Sequence, residues 1–537
     1  MNRIIEGSKW IKIAAVIFLA IATAHLPIAR AQGDPLVVKT SVGQVKGMAR
    51  IGGGARFFGT PFAEPPVGPL RWHEPLPAQP WTGIRPAQAY SAPCAQPDLG
   101  WWNHHDAETG QEDCLYLNVV TPEWPKKKLL PVMFWLHGGA NEGGTAMSAL
   151  YTDGTLPNHG VVLVSVNYRL GVFGYLAHPE LTQASAHHAS GNYGLMDQIL
   201  ALKWVIANIA RFGGDPKNIT VFGQSAGAID TGTLMASTAK RLFQKAIQES
   251  GAPMFLPEVP LDMAPSLAGA EATGKRFAAL MGAPEGAGQI DYLRGIPAGE
   301  IVKKLTGHQP HLRFNPDVDG WVLTRSPAEA FAAGEESAIP VLIGTTTREF
   351  GGTQTADQLR GMIAMYSGQH VQEVLKVYGL ADGGPGTNDP VYGSAADQLA
   401  ADYGFRCPST TEGRWHSAAH HPVFQYEFNH PIPGQPLAIH STDLSFVMGF
   451  YPTEGNMAGR YTATDAKLAD IVESYFTNFA RTGNPNGAGL PNWPQFGEAG
   501  NYVKFTSEGT VDEAKDMRGA ACTVFREVME TQMKQGK

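Results

Sequence analysis

Short apolar runs bounded by turn-forming residues recur along the chain at Pro131–Leu136, Val161–Val166, Ile219–Phe222, Ala246–Gln248, Pro340–Gly344 and Val423–Phe428. Runs of this length and boundary chemistry predict β-strands. Helical patterns lie between several of them. The clearest is Asp197–Phe212, where Ile199, Leu202, Val205, Ile206 and Ile209 share one apolar face. Asp197 is the expected N-terminal cap, and Gly213-Gly214 the expected stop. Strands alternating with helices predict an α/β fold with a mostly parallel central sheet flanked by helices. Such sheets gather their functional loops at the carboxyl ends of the strands.

One of those strand ends carries chemistry. Gly223-Gln224-Ser225-Ala226-Gly227 directly follows Ile219–Phe222. The pattern G-x-S-x-G, placed after a strand and before small residues that can open a helix, is a tight turn that lifts a serine hydroxyl clear of the sheet. A serine so placed can attack a carbonyl carbon, provided it has a base, an orienting acid and an oxyanion hole. Trp135-Leu136-His137-Gly138-Gly139-Ala140 supplies a glycine-rich loop after an earlier strand. Its backbone amides, with that of the residue after the serine, can meet a developing oxyanion without steric blocking.

The expected chain order is serine, acid, histidine. Asp319, Glu335, Glu336 and Glu349 are candidate acids. Glu349 follows the strand Pro340–Gly344 and so reaches the catalytic edge. Glu335 and Glu336 precede that strand and belong at its other end. Candidate bases are His308, His311, His416, His420, His421, His430 and His440. His440 follows the strand Val423–Phe428 through a Pro/Gly loop and has Asp443 close by, but spacing leaves the choice among the histidines open.

With 537 residues, 43% of them hydrophobic and 17% charged, the chain can bury a large core, and disorder is excluded. A net charge of −8 with mixed signs carries no nucleic-acid footprint. Gly282–Gly288 and Gly379–Pro390 read as surface loops. At the N-terminus, Arg3, Lys9 and Lys12 precede the apolar run Ile13–Ala24, and Ala29-Arg30-Ala31 fits a small-x-small cleavage site. That pattern predicts a signal peptide over 1–31, a mature chain starting at Gln32 without a membrane span, and a periplasmic or secreted protein. The apolar run is about half the roughly 20 residues a bilayer span needs. Four cysteines, Cys94, Cys114, Cys407 and Cys522, make disulfides plausible in an exported chain and allow three pairings. There is no C-x-x-C and no histidine at ligand spacing to them, so no metal site is expected. The adjacent pairs His104-His105 and His187-His188 read as surface residues.

Several further stretches resemble the type B carboxylesterase/lipase family, which includes cholinesterases and bacterial para-nitrobenzyl esterases. They are Pro65–Trp72, Glu112–Asn118, Val166–Gly171, Gly191–Gln198, Phe212–Pro216 and Phe222–Gly227. The similarity runs from about Val37 to Cys522. It implies one α/β-hydrolase domain over 32–537 with long insertions around an active-site gorge. It also implies a Ser225–Glu349–His440 triad, an oxyanion hole from the amides of Gly139, Ala140 and Ala226, and support from Gln224, Ser250 and Asp443. Disulfides Cys94–Cys114 and Cys407–Cys522 follow from the same resemblance, as do structural ion pairs Arg71–Glu112 and Arg169–Asp197.

The implied activity is a serine carboxylesterase working through an acyl-enzyme on a small-molecule ester, without a cofactor. Hydrolysis of an unusual ester or amide would use the same machinery. A catalytically inactive binding module of this fold, as in neuroligins, lacks the serine that is present here. Three departures bear on specificity. Gln224 stands where cholinesterases have Glu, the acid loop reads Arg348-Glu349-Phe350 rather than Asp-Glu-Gly, and Asp443 replaces Glu. Trp101-Trp102-Asn103 lies roughly where cholinesterases place a choline-binding tryptophan.

Overall fold

The computed structural model describes residues 34–254, 266–306, 311–452 and 458–535. The predicted signal peptide, its cleavage site and His308 lie outside these residues. Leu36–Lys537 forms one compact unit.

Its centre is an eleven-stranded sheet. In chain order the strands are β1 (Met48–Ala49), β2 (Ala55–Pro61), β3 (Tyr116–Thr121), β4 (Leu130–Leu136), β5 (Val162–Val166), β6 (Gly214–Gln224), β7 (Lys245–Glu249), β8 (Val341–Thr346), β9 (Val423–Phe428), β10 (Asn501–Phe505) and β11 (Val511–Lys515). Their spatial order is β11-β10-β9-β8-β7-β6-β4-β5-β3-β2-β1. The seven strands from β10 to β5 run parallel, and antiparallel strands finish both edges. All six predicted strands are present, with ends that differ by up to five residues. The largest difference is β6, which begins at Gly214 because the polar stretch Asp215–Asn218 already follows the sheet.

Alternation along the strands builds two cores. Val132, Phe134, Leu136, Val164 and Val221 face Leu202 and Val205 of helix α1 (Tyr193–Asn208) and Ile209 of the 3-10 turn that follows it. Met133, Trp135, Leu163, Phe222 and Leu342 face Leu468, Phe476 and Phe479 of another helix, Ala463–Thr482. Burial on both faces is what a parallel sheet requires, and it accounts for the unbroken apolar runs in the sequence.

The predicted cap at Asp197 is corrected by the structure. Helix α1 starts at Tyr193, after Gly191 turns the chain at φ 106°. Asp197 is one turn inside the helix and fully buried. Its carboxylate accepts the Arg169 backbone N–H at 3.0 Å and two guanidinium N–H groups at 2.8 Å each. A short acidic side chain before an apolar face resembles a cap in sequence. Here the Arg169 fork takes the carboxylate that a cap would have offered to the helix N–H groups. The stop is as expected, since Gly213 closes the helical segment at φ 96°. The second ion pair also forms, with Arg71 Nε and Nη2 each donating to Glu112 at 2.6 Å.

Two disulfides join Cys94 to Cys114 and Cys407 to Cys522. The second fastens helix α2 (Cys407–Ala418) to the C-terminal helix α3 (Gly519–Gln535). Of the two predicted surface loops, 282–288 is irregular, whereas 379–390 contains a short 3-10 turn and a two-residue strand.

Removing one partner of a buried ion pair leaves an uncompensated charge, typically a loss of about 3–5 kcal/mol. Asp197→Ala should therefore lower the unfolding free energy by an amount in that range, seen as a lower denaturant midpoint at an unchanged slope. A shift under about 1 kcal/mol, as for surface pairs, would show that the Arg169–Asp197 contact is dispensable.

Candidate active site

The sheet register brings the predicted residues to one edge. Gln224, the last residue of β6, pairs with Glu249, the last of β7, and Glu249 pairs with Gly344 of β8. Ser225 and Ser250 therefore leave neighbouring strands side by side, and the loop after β8 carries Glu349 above them. β9 runs beside β8, and the loop beyond it returns with His440.

Ser225 sits at φ 58° and ψ −125°, a conformation that L residues avoid. Its N–H continues the sheet ladder by donating to Glu249 O at 2.8 Å. The next eleven residues, Ala226–Ala236, form a helix. The flanking glycines are steric requirements. A Cβ on Gly223 would lie 2.4 Å from Gly227, and one on Gly227 would lie 2.1 Å from Leu136 O. The elbow thus packs directly on the end of β4, where the glycine loop begins.

In that loop, Gly139 takes φ 120°, Ala140 58° and Asn141 57°. A Cβ on Gly138 would come within 3.0 Å of Ser225 Cβ, so the loop closes over Ser225. Among the described residues, no protein acceptor takes the backbone N–H of Gly139, Ala140 or Ala226. The loop is held from behind. The His137 ring stacks on Tyr168 at 4.5 Å, and the Tyr168 hydroxyl donates to His137 O at 2.6 Å. Burial pushes His137 down to about 4, so its ring is neutral at pH 7. Asn141 Nδ2 donates to buried Asp230 at 2.9 Å.

Glu349 and His440 meet. His440 Nδ1 donates to Glu349 Oε2 at 2.5 Å. Glu349 Oε1 accepts from the Ser250 hydroxyl and from Thr346 N–H, both at 2.7 Å. With Nδ1 protonated, His440 Nε2 is an acceptor, and the Gln224 amide donates to it at 3.1 Å. The Ser225 hydroxyl lies one residue beyond that amide. Six of the twelve non-glycine residues with positive φ belong to this site: Ala140, Asn141, Ser225, Ser250, Glu349 and Ser441. Concentration of backbone strain at one place is the mark of a functional centre.

The other candidates are engaged elsewhere. Glu335 pairs with Arg325 at 2.9 Å and Glu336 with His416 at 2.6 Å, both before β8, as the strand-end argument required. Asp319 caps a turn by accepting Trp321 and Leu323 N–H. His311 pairs with Glu142 at 3.0 Å and His430 with Asp465 at 2.7 Å. His104, His105, His187 and His188 are exposed. Trp101 is 69% exposed, and the ring tip of Trp102 borders Gly143 of the glycine loop.

The sequence missed three parts. Phe350 and Phe405 pack on the His440 ring at 4.3 and 4.7 Å. Phe405 is delivered by a π-helical turn, Asp402–Arg406, for which no sequence pattern stands. The same turn buries Arg406, whose Nη2 donates to Thr347 O at 2.7 Å and steadies the acid loop. The third part is acidic. Glu249 is fully buried with neither carboxylate oxygen partnered, and burial, helped by the Asp443 charge, pushes it well above the carboxylate range. Asp443 accepts the Tyr426 hydroxyl at 2.8 Å. Burial, then the Glu349 charge, raises it to about 6.

A parallel sheet with a strained serine elbow after a central strand, and an acid and a histidine on later strand ends, defines an α/β-hydrolase. The chain belongs to the carboxylesterase family, whose model matches residues 34–524. It is 36% identical over 492 residues to the para-nitrobenzyl esterase of Bacillus subtilis (strain 168), covering 86% of this chain and 93% of that protein. It is 33% identical over 531 residues to the fumonisin B1 esterase of Sphingopyxis macrogoltabida, covering 94% and 92%. Among solved structures, a PNB esterase superposes with a TM-score of 0.79 at 32% identity, covering 92% of this chain and 99% of that one. The Geobacillus stearothermophilus carboxylesterase EST55 gives 0.79 at 31% identity, covering 91% and 100%. The protein is a carboxylic ester hydrolase.

The raised Asp443 has a pH consequence. Its folded value of about 6 exceeds the ordinary 3.8. The native state therefore holds this proton more tightly than the unfolded chain, and stability falls as pH rises through that window, by up to about 1.4 kcal/mol per unit. Asp443→Asn keeps an acceptor for Tyr426 and removes the titration. The unfolding temperature of the variant relative to wild type should rise between about pH 4 and pH 7. A flat difference would show that Asp443 does not carry the proton.

Proposed function

We propose that Ser225 is the nucleophile, His440 the general base and Glu349 the orienting acid of an exported serine carboxylesterase. The observation that carries this reading is the Glu349–His440 contact at the strand edge where the Ser225 elbow emerges. On substrate binding, the Ser225 hydroxyl replaces the Gln224 amide as the partner of His440 Nε2. His440 takes the serine proton as Oγ attacks the ester carbonyl, and Glu349 stabilises the imidazolium. The carbonyl oxygen becomes an oxyanion facing the amides of Gly139, Ala140 and Ala226. Collapse expels the alcohol, protonated by His440, and leaves an acyl-enzyme. Water then attacks with His440 again as base, and the acid leaves.

The oxyanion amides need no reorganisation, because the strained loop and the helix start already point them inward. Phe350 and Phe405 limit the imidazole to small rotations. Ser250 holds Glu349 through its second oxygen, so the acid cannot swing away. Residues 1–31 act as the signal peptide, and 32–537 as one catalytic domain in the periplasm or medium. Two disulfides and no free cysteine among the described residues suit an oxidising compartment. No helix of the described residues is long and apolar enough to cross a membrane.

Ser225→Ala and His440→Ala should each lower turnover of a simple ester by about 10⁴–10⁶-fold, because the members act as a unit. A fluorophosphonate probe should label wild type and spare Ser225→Ala. Normal hydrolysis by folded Ser225→Ala, or greater sensitivity at Glu335 or Glu336 than at Glu349→Gln, would reject the assignment.

Specificity follows from Gln224. A neutral amide cannot attract a cation, whereas two opposite unit charges about 4 Å apart at an effective dielectric of about 20 attract by about 4 kcal/mol before solvation costs. Acetylcholine and its neutral isostere should therefore have similar kcat/KM at low and high salt. A salt-sensitive preference for the cation of about a hundredfold, or about 2.7 kcal/mol, would mean that another group builds a cation site.

A further inference from the structure

Behind the glycine loop, one fully buried carboxylate ties three elements together. Asp230 lies a turn beyond Ala226 in the helix Ala226–Ala236. Its Oδ1 accepts from Asn141 Nδ2 of the glycine loop at 2.9 Å, and its Oδ2 accepts from Gln198 Nε2 of α1 at 2.6 Å. Asp230, Asn141 and Gln198 follow β6, β4 and β5 respectively, which are neighbours in the sheet. We propose that Asp230 is a positioning residue of the oxyanion hole: through Asn141 it holds the loop amides of Gly139 and Ala140 in register with the Ala226 amide at the start of its own helix. This role rests on the oxyanion hole proposed above.

The count of acceptors explains why a carboxylate stands here. Two amide donors arrive from different elements, one at each oxygen. A carboxamide in its place would offer one acceptor oxygen and turn a donor towards the other amide. Among the described residues the two amides are the only polar partners of Asp230, and no cation meets it. Burial pushes its carboxyl up to about 7, against the pull of both amides. A buried carboxylate without a cation is costly to keep. The contact it secures is the one that fixes the loop.

Asn141 is the residue through which such a grip is felt. Ala140 and Asn141 take φ 58° and 57° in succession. Left-handed residues of this kind persist only where their surroundings over-determine them. The Asn141 carbonyl accepts Gly171 N–H at 2.6 Å, and its side chain donates to Asp230, so the residue is fixed at both ends. The Ala140 N–H lies one peptide before it. Without Asp230, Asn141 would keep only the Gly171 contact, and the loop amides would be free to turn from the point where the oxyanion forms. Donors aimed in advance at a developing charge lose much of their effect when they have to reorient.

A trifluoromethyl ketone reads the oxyanion hole directly. Ser225 Oγ adds to its carbonyl carbon, the serine proton passes to His440, and the carbonyl oxygen becomes an oxyanion facing the three amides. Wild type should bind it at least about 100-fold more tightly than the methyl ketone of the same chain. Asp230→Asn keeps one acceptor and the buried volume, and Asp230→Leu keeps the volume alone, so the two should reduce that preference progressively. Asp230→Leu should lose about 10-fold or more, short of the about 10²–10³-fold that removing an oxyanion donor outright causes. For a simple ester, kcat should fall by the same factor with KM within about twofold. Asn141→Ala should match Asp230→Leu, and the double variant should lose no more than either single one. An unchanged preference and kcat in Asp230→Asn and Asn141→Ala would overturn the role of Asp230 and leave the triad and the hole standing. So would a loss carried by KM, or one seen only as a lower unfolding temperature. Absence of the preference in wild type would remove the oxyanion hole itself, and the role of Asp230 with it.

Discussion

The close approach of the β6 elbow to the end of β4 is the contact on which the active site depends. Gly223 and Gly227 have no room for a side chain because Leu136 O and the turn's own backbone occupy it. That approach forces Ser225 to φ 58° and sets the glycine loop directly above it. The strain at Ser225, Ala140 and Asn141 costs of order 1–3 kcal/mol at each residue. It persists because two cores, one on each sheet face, leave the strands no freedom to relax. Packing of the sheet and geometry of the elbow are therefore one problem, solved together.

The Glu349–His440 pair is held by a different device. Glu349 and His440 stand on loops, yet each is tied by its own backbone and by neighbours. His440 N–H donates to Glu349 O, Ser250 and Thr346 hold the carboxylate, and Arg406 grips Thr347. Beneath them Glu249 and Asp443 form a buried acidic layer whose charge is limited by burial. The imidazole thus sits between the Glu349 side chain and two groups that burial biases towards neutrality. A fully ionised layer would place excess negative charge under His440.

Much of this was legible in the chain because it is local. Strands buried on both faces have to be apolar throughout, so Pro131–Leu136 and Val161–Val166 announce themselves. G-x-S-x-G is a spacing constraint within five residues. The choice of Glu349 over Glu335 and Glu336 needed only the direction of one strand. Asp197 misled because a buried partner for Arg169 and a helix cap have the same local appearance. Phe405 and Arg406 could not be read at all, since a π-helical turn has no compositional signature and their targets, His440 and Thr347, lie far from them in sequence. Glu249 was hidden for another reason: its importance is its isolation from any partner, and isolation is a property of packing.

The Cys407–Cys522 bond closes a ring of chain that includes His440 but excludes Ser225. Within that ring, β10 is also the neighbour that completes β9. Ser225 and its glycine loop are thus encoded in the first half of the chain, while the segment that carries His440 is tied to the C-terminal helix. During synthesis Ser225 emerges long before His440, so the two halves of the site are brought together only by the fold.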